Sequence, residues 1–237
     1  MRKLAIVTLL VLFVCAFANA QPAAKNAVQV STANLINYQP TSLPWQNILS
    51  TNIKTSSQKD LLLGVSLETG LLTETFVKTK GSDPDTAEAT AGIEVRVCAN
   101  NISTPGAQDC GGVGGLPGYK VAEPGVVMFD KRLQRLTARL ANILGTCYDV
   151  DGDGVVEIPD ECISAEITLL LETLAAHHFN FALDDVGVGN HEVKVQARIN
   201  IDKNAGLGSA DAKAMVGKGS LSVEEVRLVK GVEIVIP

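Results

Sequence analysis

The residues most able to do chemistry are concentrated in one stretch, Asp149-Val150-Asp151-Gly152-Asp153-Gly154-Val155-Val156-Glu157-Ile158-Pro159-Asp160-Glu161. Asp149, Asp151 and Asp153 stand at positions 1, 3 and 5 of a tight loop, so their carboxylates converge on one side. Gly154 supplies the positive φ of a sharp turn, and Val155 follows with a backbone carbonyl. Glu157 can bind directly or through water, and Asp160 closes the sphere. Carboxylates this close repel one another unless a cation sits among them. A hard divalent ion that takes six to eight oxygens matches the set, which makes calcium the expected cofactor.

This spacing resembles the calcium loop of EF-hand proteins. It is also similar to the Asp-x-Asp-Gly-Asp-Gly units of thrombospondin type 3 repeats, with Asp160 and Cys162 at their last Asp and Cys. The resemblance covers residues 149–162 alone, so it implies a metal site and not a protein family. Two departures from the EF-hand pattern stand out. Asp160 is shorter than the usual Glu, and Pro159 with Glu161 replaces the start of a regular helix.

The elements that must hold this loop read mostly as strands. Leu61, Leu63, Val65 and Leu67 alternate, as do Ile93, Val95 and Val97. Val193, Val195, Ala197, Ile199 and Ile201 alternate with Lys194, Gln196, Arg198 and Asn200, the mark of a strand with one wet face. Ala210 to Val216 alternates again, and Leu221 to Leu228 does so with a slip at Glu224-Glu225 that would suit a β-bulge. Turn-forming stretches separate these runs. The fold class is therefore all-β, a single β-sandwich over residues 46–237. Short helices beside the loop are the open alternative. Leu133, Leu136, Leu140, Ile143 and Leu144 fit a helix, and residues 131–145 carry both readings. For 165–182 helical and strand spacings also compete, and the all-β setting with alternating Phe179 and Phe181 favours a strand. Residues 21–45 read as an extended arm that ends at Trp45. The run from Gly189 into a long strand, then a hairpin to Gly219-Ser220-Leu221-Ser222-Val223, resembles the closing strands of C1q- and tumour-necrosis-factor-like jelly rolls. That resemblance implies at most an extracellular binding domain.

Residues 1–20 have the form of a signal peptide: Arg2-Lys3, an apolar run, then Ala18-Asn19-Ala20. No other segment is apolar and long enough to span a membrane. Export brings an oxidising compartment, and Cys98, Cys110, Cys147 and Cys162 remain beyond the leader. Three pairings are open. Cys98–Cys110 with Cys147–Cys162 is favoured, because each pair brackets a turn-rich loop. No C-x-x-C spacing supports zinc.

The net charge of −6 and the lack of a Lys/Arg cluster argue against nucleic acid. His177 and His178 are neighbours and face opposite ways in a strand, so they share a site poorly, and His191 is in phase with an apolar face. Gly111 to Gly118 and Gly217-Lys218-Gly219-Ser220 lack the phosphate-loop spacings and read as turns. No nucleophile elbow, H-E-x-x-H helix or Cys/His pair is present. The expected function is a secreted, non-catalytic calcium-binding module whose partner is an extracellular protein or glycan. The alternative is a secreted, glycan-acting hydrolase whose carboxylates are brought together only by the fold.

Overall fold

The computed structural model describes residues 25–31, 34–79, 85–102, 108–138 and 165–228. Ten strands run through them: β1 Asn26–Val30, β2 Ile36–Gln39, β3 Gln46–Thr55, β4 Lys59–Thr79 and β5 Asp85–Asn100, then β6 Tyr119–Val121, β7 Val127–Ala138, β8 Ala165–Val186, β9 Gly189–Ala205 and β10 Ser209–Val226. No helix forms among the described residues.

Alternation sorts the side chains as expected. Along β9, Val193, Val195, Ala197 and Ile199 are buried, while Lys194, Arg198 and Asn200 are half-buried. Along β4, Leu61, Leu63, Val65 and Leu67 turn into the same core. In β10 the inward set changes parity, from Ala212, Ala214 and Val216 to Leu221 and Val223. The register shift responsible lies between Val216 and Gly219, at Gly217-Lys218. This corrects the slip expected at Glu224-Glu225, which pair with Leu62 and Leu61 without interruption.

The strand order defines the architecture. One sheet runs β1-β10-β4-β8, with β2 also on β10; the other runs β3-β9-β5, with β6 and β7 both on β5. All pairings are antiparallel and nested, β1 with β10, β3 with β9, β4 with β8 and β5 with β7. The chain is in effect one long hairpin wrapped over two sheets, which is the jelly-roll order. The N-terminal stretch thus supplies β1 and β2 to the sandwich. β9 and β10 belong to different sheets, so the expected C-terminal hairpin is instead a crossover through residues 206–208.

The ambiguity over 131–145 resolves to strand as far as Ala138. The inward positions of β7 hold Gln134, Leu136 and Ala138, and Leu133 faces solvent. A polar residue sat in the inward phase and an apolar one outside it, which is why the spacing looked helical. Residues 165–178 are likewise strand.

Candidate functional site

Asp149, Asp151, Asp153, Val155, Glu157, Asp160, Cys147 and Cys162 lie outside the described residues, as do residues 1–20, for which a signal peptide is expected. What is described is the frame on either side. Ala138 pairs with Asp85 in one sheet, and Ala165 pairs with Thr79 in the other. The acidic segment therefore connects the two sheets at one end of the sandwich. The β4–β5 and β9–β10 crossovers share that end.

Asp85 ties this end together. It is only 3% exposed. Its carboxylate accepts the amides of Lys78, Thr86 and Leu207, each at 2.9 Å. The Lys78 amide does most to hold its pKa below the ordinary value; burial opposes this, and the Leu207, Thr86 and Gly208 amides assist. A Cβ on Gly208 would come 1.8 Å from the Phe76 carbonyl oxygen, so only glycine lets the crossover close here.

A disulfide joins Cys98 on β5 to Cys110, with Cα atoms 6.2 Å apart, as favoured from the sequence. It holds a glycine-rich turn over a polar cluster on the outer face of the second sheet. Arg96 donates from Nε to Gln196 at 2.9 Å and from Nη2 to the Gly111 carbonyl at 3.1 Å. Gln196 donates to the Gly114 carbonyl at 3.0 Å. The guanidiniums of Arg96 and Arg198 lie 4.2 and 4.7 Å from the centre of the Trp45 ring, within cation–π range. The turn presents carbonyls to these donors and uses the Gly115 and Leu116 amides internally. It is a cover for the cluster and not a phosphate cradle.

The histidines separate as their spacing predicts. His177 turns inward, edge-on to Phe129 and 3.5 Å from Asp130. His191 is buried in the other sheet, within 3.2 Å of Thr55 Oγ1, 3.0 Å of the Gly187 carbonyl and 3.2 Å of the Asn100 carbonyl. His178 turns outward. Its Nδ1 lies 2.8 Å from Ser66 Oγ and its Nε2 lies 2.9 Å from Asn180 Oδ1. Asn180 Oδ1 can only accept, so Nε2 carries the proton and Nδ1 accepts from Ser66. The series has the order nucleophile, base, orienter, and Ser66 borders an open cleft of about 400 Å³ with Ser31, Glu68 and Ala176. However, Ser66 is mid-strand in β4, which is paired on both sides, so the amides around it are held in ladders. They cannot form the oxyanion-binding pair that acyl transfer needs. Sequence reasoning missed this series because Ser66 and His178 lie 112 residues apart and only the β4–β8 ladder joins them.

A second cleft, of about 420 Å³, opens at the opposite end between Asp60, Asp185, Gln58, Lys59 and Arg227. Both Asp60 oxygens accept backbone amides, from Asp185 at 2.9 Å and Leu228 at 2.7 Å, which makes it a staple for two strand ends. Among the described residues no three His, Cys, Asp or Glu side chains converge as a metal site, and no helix is long and apolar enough to cross a membrane.

The least ordinary surface is β8. It is the outermost strand of its sheet and pairs with β4 along its length. Its first half is exposed on both faces, with Ile167, Leu169 and Leu171 on the inner side and Leu170 (56%) and Leu174 (59%) on the outer. A long apolar edge strand is an expected pairing surface. In the sequence this stretch carries competing helical and strand spacings, which do not tell whether its leucines are covered. Their exposure follows from the position of β8 at the sheet edge, and from a polar layer beneath it. There Gln134 of β7 donates to the Thr75 hydroxyl and the Leu169 carbonyl, both at 2.7 Å.

No family model matches this chain, and no curated protein does. Among solved structures it is similar to infectious bursal disease virus, Gx strain, at 12% identity and a TM-score of 0.26, covering 87% of this chain and 39% of that one. It is similar to a CocE/NonD family hydrolase from Staphylococcus aureus at 11% identity and a TM-score of 0.18, covering 86% and 34%. A T=1 particle derived from infectious bursal virus gives 10% identity and a TM-score of 0.17, covering 88% and 42%. The chain spans well under half the length of each. The class of the protein therefore rests on its own strand order, which is that of an antiparallel jelly-roll sandwich. It carries the Cys98–Cys110 bridge, which is compatible with a place outside the cytoplasm.

Proposed function

We propose that this chain is an exported, non-catalytic binding or structural module that carries one calcium ion. The observation that supports a binding role is β8, whose apolar residues are exposed on both faces and which begins three residues after Cys162, where the acidic segment ends. The donor set of Asp149, Asp151, Asp153, Glu157, Asp160 and the Val155 carbonyl is all hard oxygen, which suits calcium. Bound there, the ion would neutralise the clustered carboxylates and stiffen the crossover between the two sheets. The Cys147–Cys162 bridge would pin both ends of that segment and lower the ordering cost of binding.

Calorimetric titration of the chelator-treated, oxidised protein tests the metal. One site is expected, lost in Asp151→Ala. Calcium at about 100 times Kd should add roughly 2.7 kcal/mol of stability, or about 5–10 °C in Tm for a chain of this size. No heat and no Tm shift would refute the calcium reading. Turnover on a polysaccharide panel would replace the binding role with the hydrolase.

A further inference from the structure

We infer that Ser66 is an activated hydroxyl that takes an acyl group from an activated ester or thioester and keeps it, a site of covalent modification and not of turnover. Neither the calcium ion nor the apolar edge of β8 enters into it.

The β4–β8 ladder itself assembles the group. Ser66 stands directly opposite His178, and Gly64 directly opposite Asn180. Val65 and Leu67 turn into the core, so Ser66 lies on the outer face of the sheet, where His178 and Asn180 are exposed. Ser66 Oγ is 2.8 Å from His178 Nδ1, and Asn180 Oδ1 is 2.9 Å from His178 Nε2. With the proton on Nε2, the lone pair of Nδ1 faces the serine hydroxyl. Gly64 leaves the space beside which the imidazole lies. A Cβ there would come 3.1 Å from His178 Cε1 and 2.6 Å from Ser222 Oγ. Strand register, and no loop, thus holds nucleophile, base and orienter in order.

Ser66 also borders the cleft of about 400 Å³, in which Val30 and Ala176 offer apolar walls to a short acyl chain. In the transfer, His178 Nδ1 takes the Ser66 proton as Oγ bonds to the acyl carbon. The bond from that carbon to the leaving oxygen or sulfur breaks with its electron pair, and the imidazolium returns the proton to the leaving atom. The ladders on both sides of Ser66 leave no amide pair for the oxyanion. Each absent donor costs about 10²–10³ in rate. An aryl ester or thioester is reactive enough to bear that loss in the first step. The alkyl ester formed on Ser66 is not, so the acyl group stays.

Incubation of the oxidised protein with para-nitrophenyl butyrate, followed by intact mass and peptide mapping, tests this. A single butyryl group on Ser66 is expected, with one equivalent of nitrophenolate and no sustained release, whether or not calcium is present. His178→Gln should slow the labelling at least ~100-fold, the worth of a positioned general base. Asn180→Ala should slow it as well. Asn180→Asp, which still accepts from Nε2, should restore it, a rescue that a merely structural role would not give. The Asn180 pair also covers the case in which His178→Gln fails to fold. Butyryl on Lys218 in place of Ser66, equal labelling in Ser66→Ala, or an unchanged rate in both His178→Gln and Asn180→Ala would overturn the activation of Ser66. Sustained release of nitrophenolate that Ser66→Ala abolishes would overturn the retention and make the site hydrolytic.

Discussion

Replacing Asp85 with asparagine should destabilise the protein most where the acidic segment is anchored. The carboxylate joins three places in the chain: Lys78 at the end of β4, Thr86 beside it, and Leu207 in the β9–β10 crossover. Because the group is almost wholly buried, solvent cannot take its place. An orphaned buried amide costs about 1–3 kcal/mol. In Asp85→Asn the side chain would keep one oxygen and turn an amino group toward the remaining amide, for a loss of about 2 kcal/mol. Asp85→Ala would orphan both remote amides, for about 4 kcal/mol. In thermal unfolding these correspond to roughly 6 and 12 °C. The pH dependence adds a sharper test. The native amides hold this carboxyl below its unfolded value of about 3.9. Its contribution is therefore full above that value and disappears as the pH falls through the lower native one. Urea unfolding from about pH 7 to about pH 2.5 should show the gap between wild type and Asp85→Asn closing on acidification. A gap below about 0.5 kcal/mol at neutral pH, or one that stays constant across the acid range, would refute the reasoning.

Reducing Cys98–Cys110, or replacing both cysteines with alanine, should cost about 3 kcal/mol by freeing the loop between them, read as a drop in Tm on adding dithiothreitol. Trp45→Ala should cost about 3–4 kcal/mol. Trp45 is the sole tryptophan, so wild-type emission should be blue-shifted in the native state and move red on unfolding. Gly114→Ala should cost at least about 2 kcal/mol in chemical denaturation, since φ is +74° and the new Cβ would come 2.1 Å from the Trp45 carbonyl oxygen.

Much of the sandwich was legible because its strands have one wet face. The β9 alternation and the opposed His177 and His178 both follow from a two-residue period. The Cys98–Cys110 bridge was legible because turn residues lie between its ends. β7 was not, because Gln134 takes an inward position to serve Thr73, Thr75 and Leu169 while Leu133 faces out. The bulge at Gly217-Lys218 was misplaced because glycine beside lysine shows no hydrophobic phase from which to count. Strand order was out of reach, since alternation says which face is buried and not which strand is next. The Ser66–His178–Asn180 series and the exposure of β8 depend on that order and were hidden with it. The acidic segment shows the converse, with donor chemistry plain in the sequence and its place in the fold known only through Ala138 and Ala165.

The nested pairing also sets a timetable. β1 has its ladder with β10, so the first of the described strands waits for the last, Asn26 for Glu224. β3 likewise waits for β9, and β4 for β8. Among the described strands only β5 finds partners soon after synthesis, β6 and β7, and its other side still waits for β9. Loop-closure entropy makes such remote pairings slow. A chain ending before β10 would lack the strand that joins β1, β2 and β4. An emerging polypeptide therefore stays largely uncommitted until β10 arrives, and until then the apolar faces of its early strands lack their ladder partners.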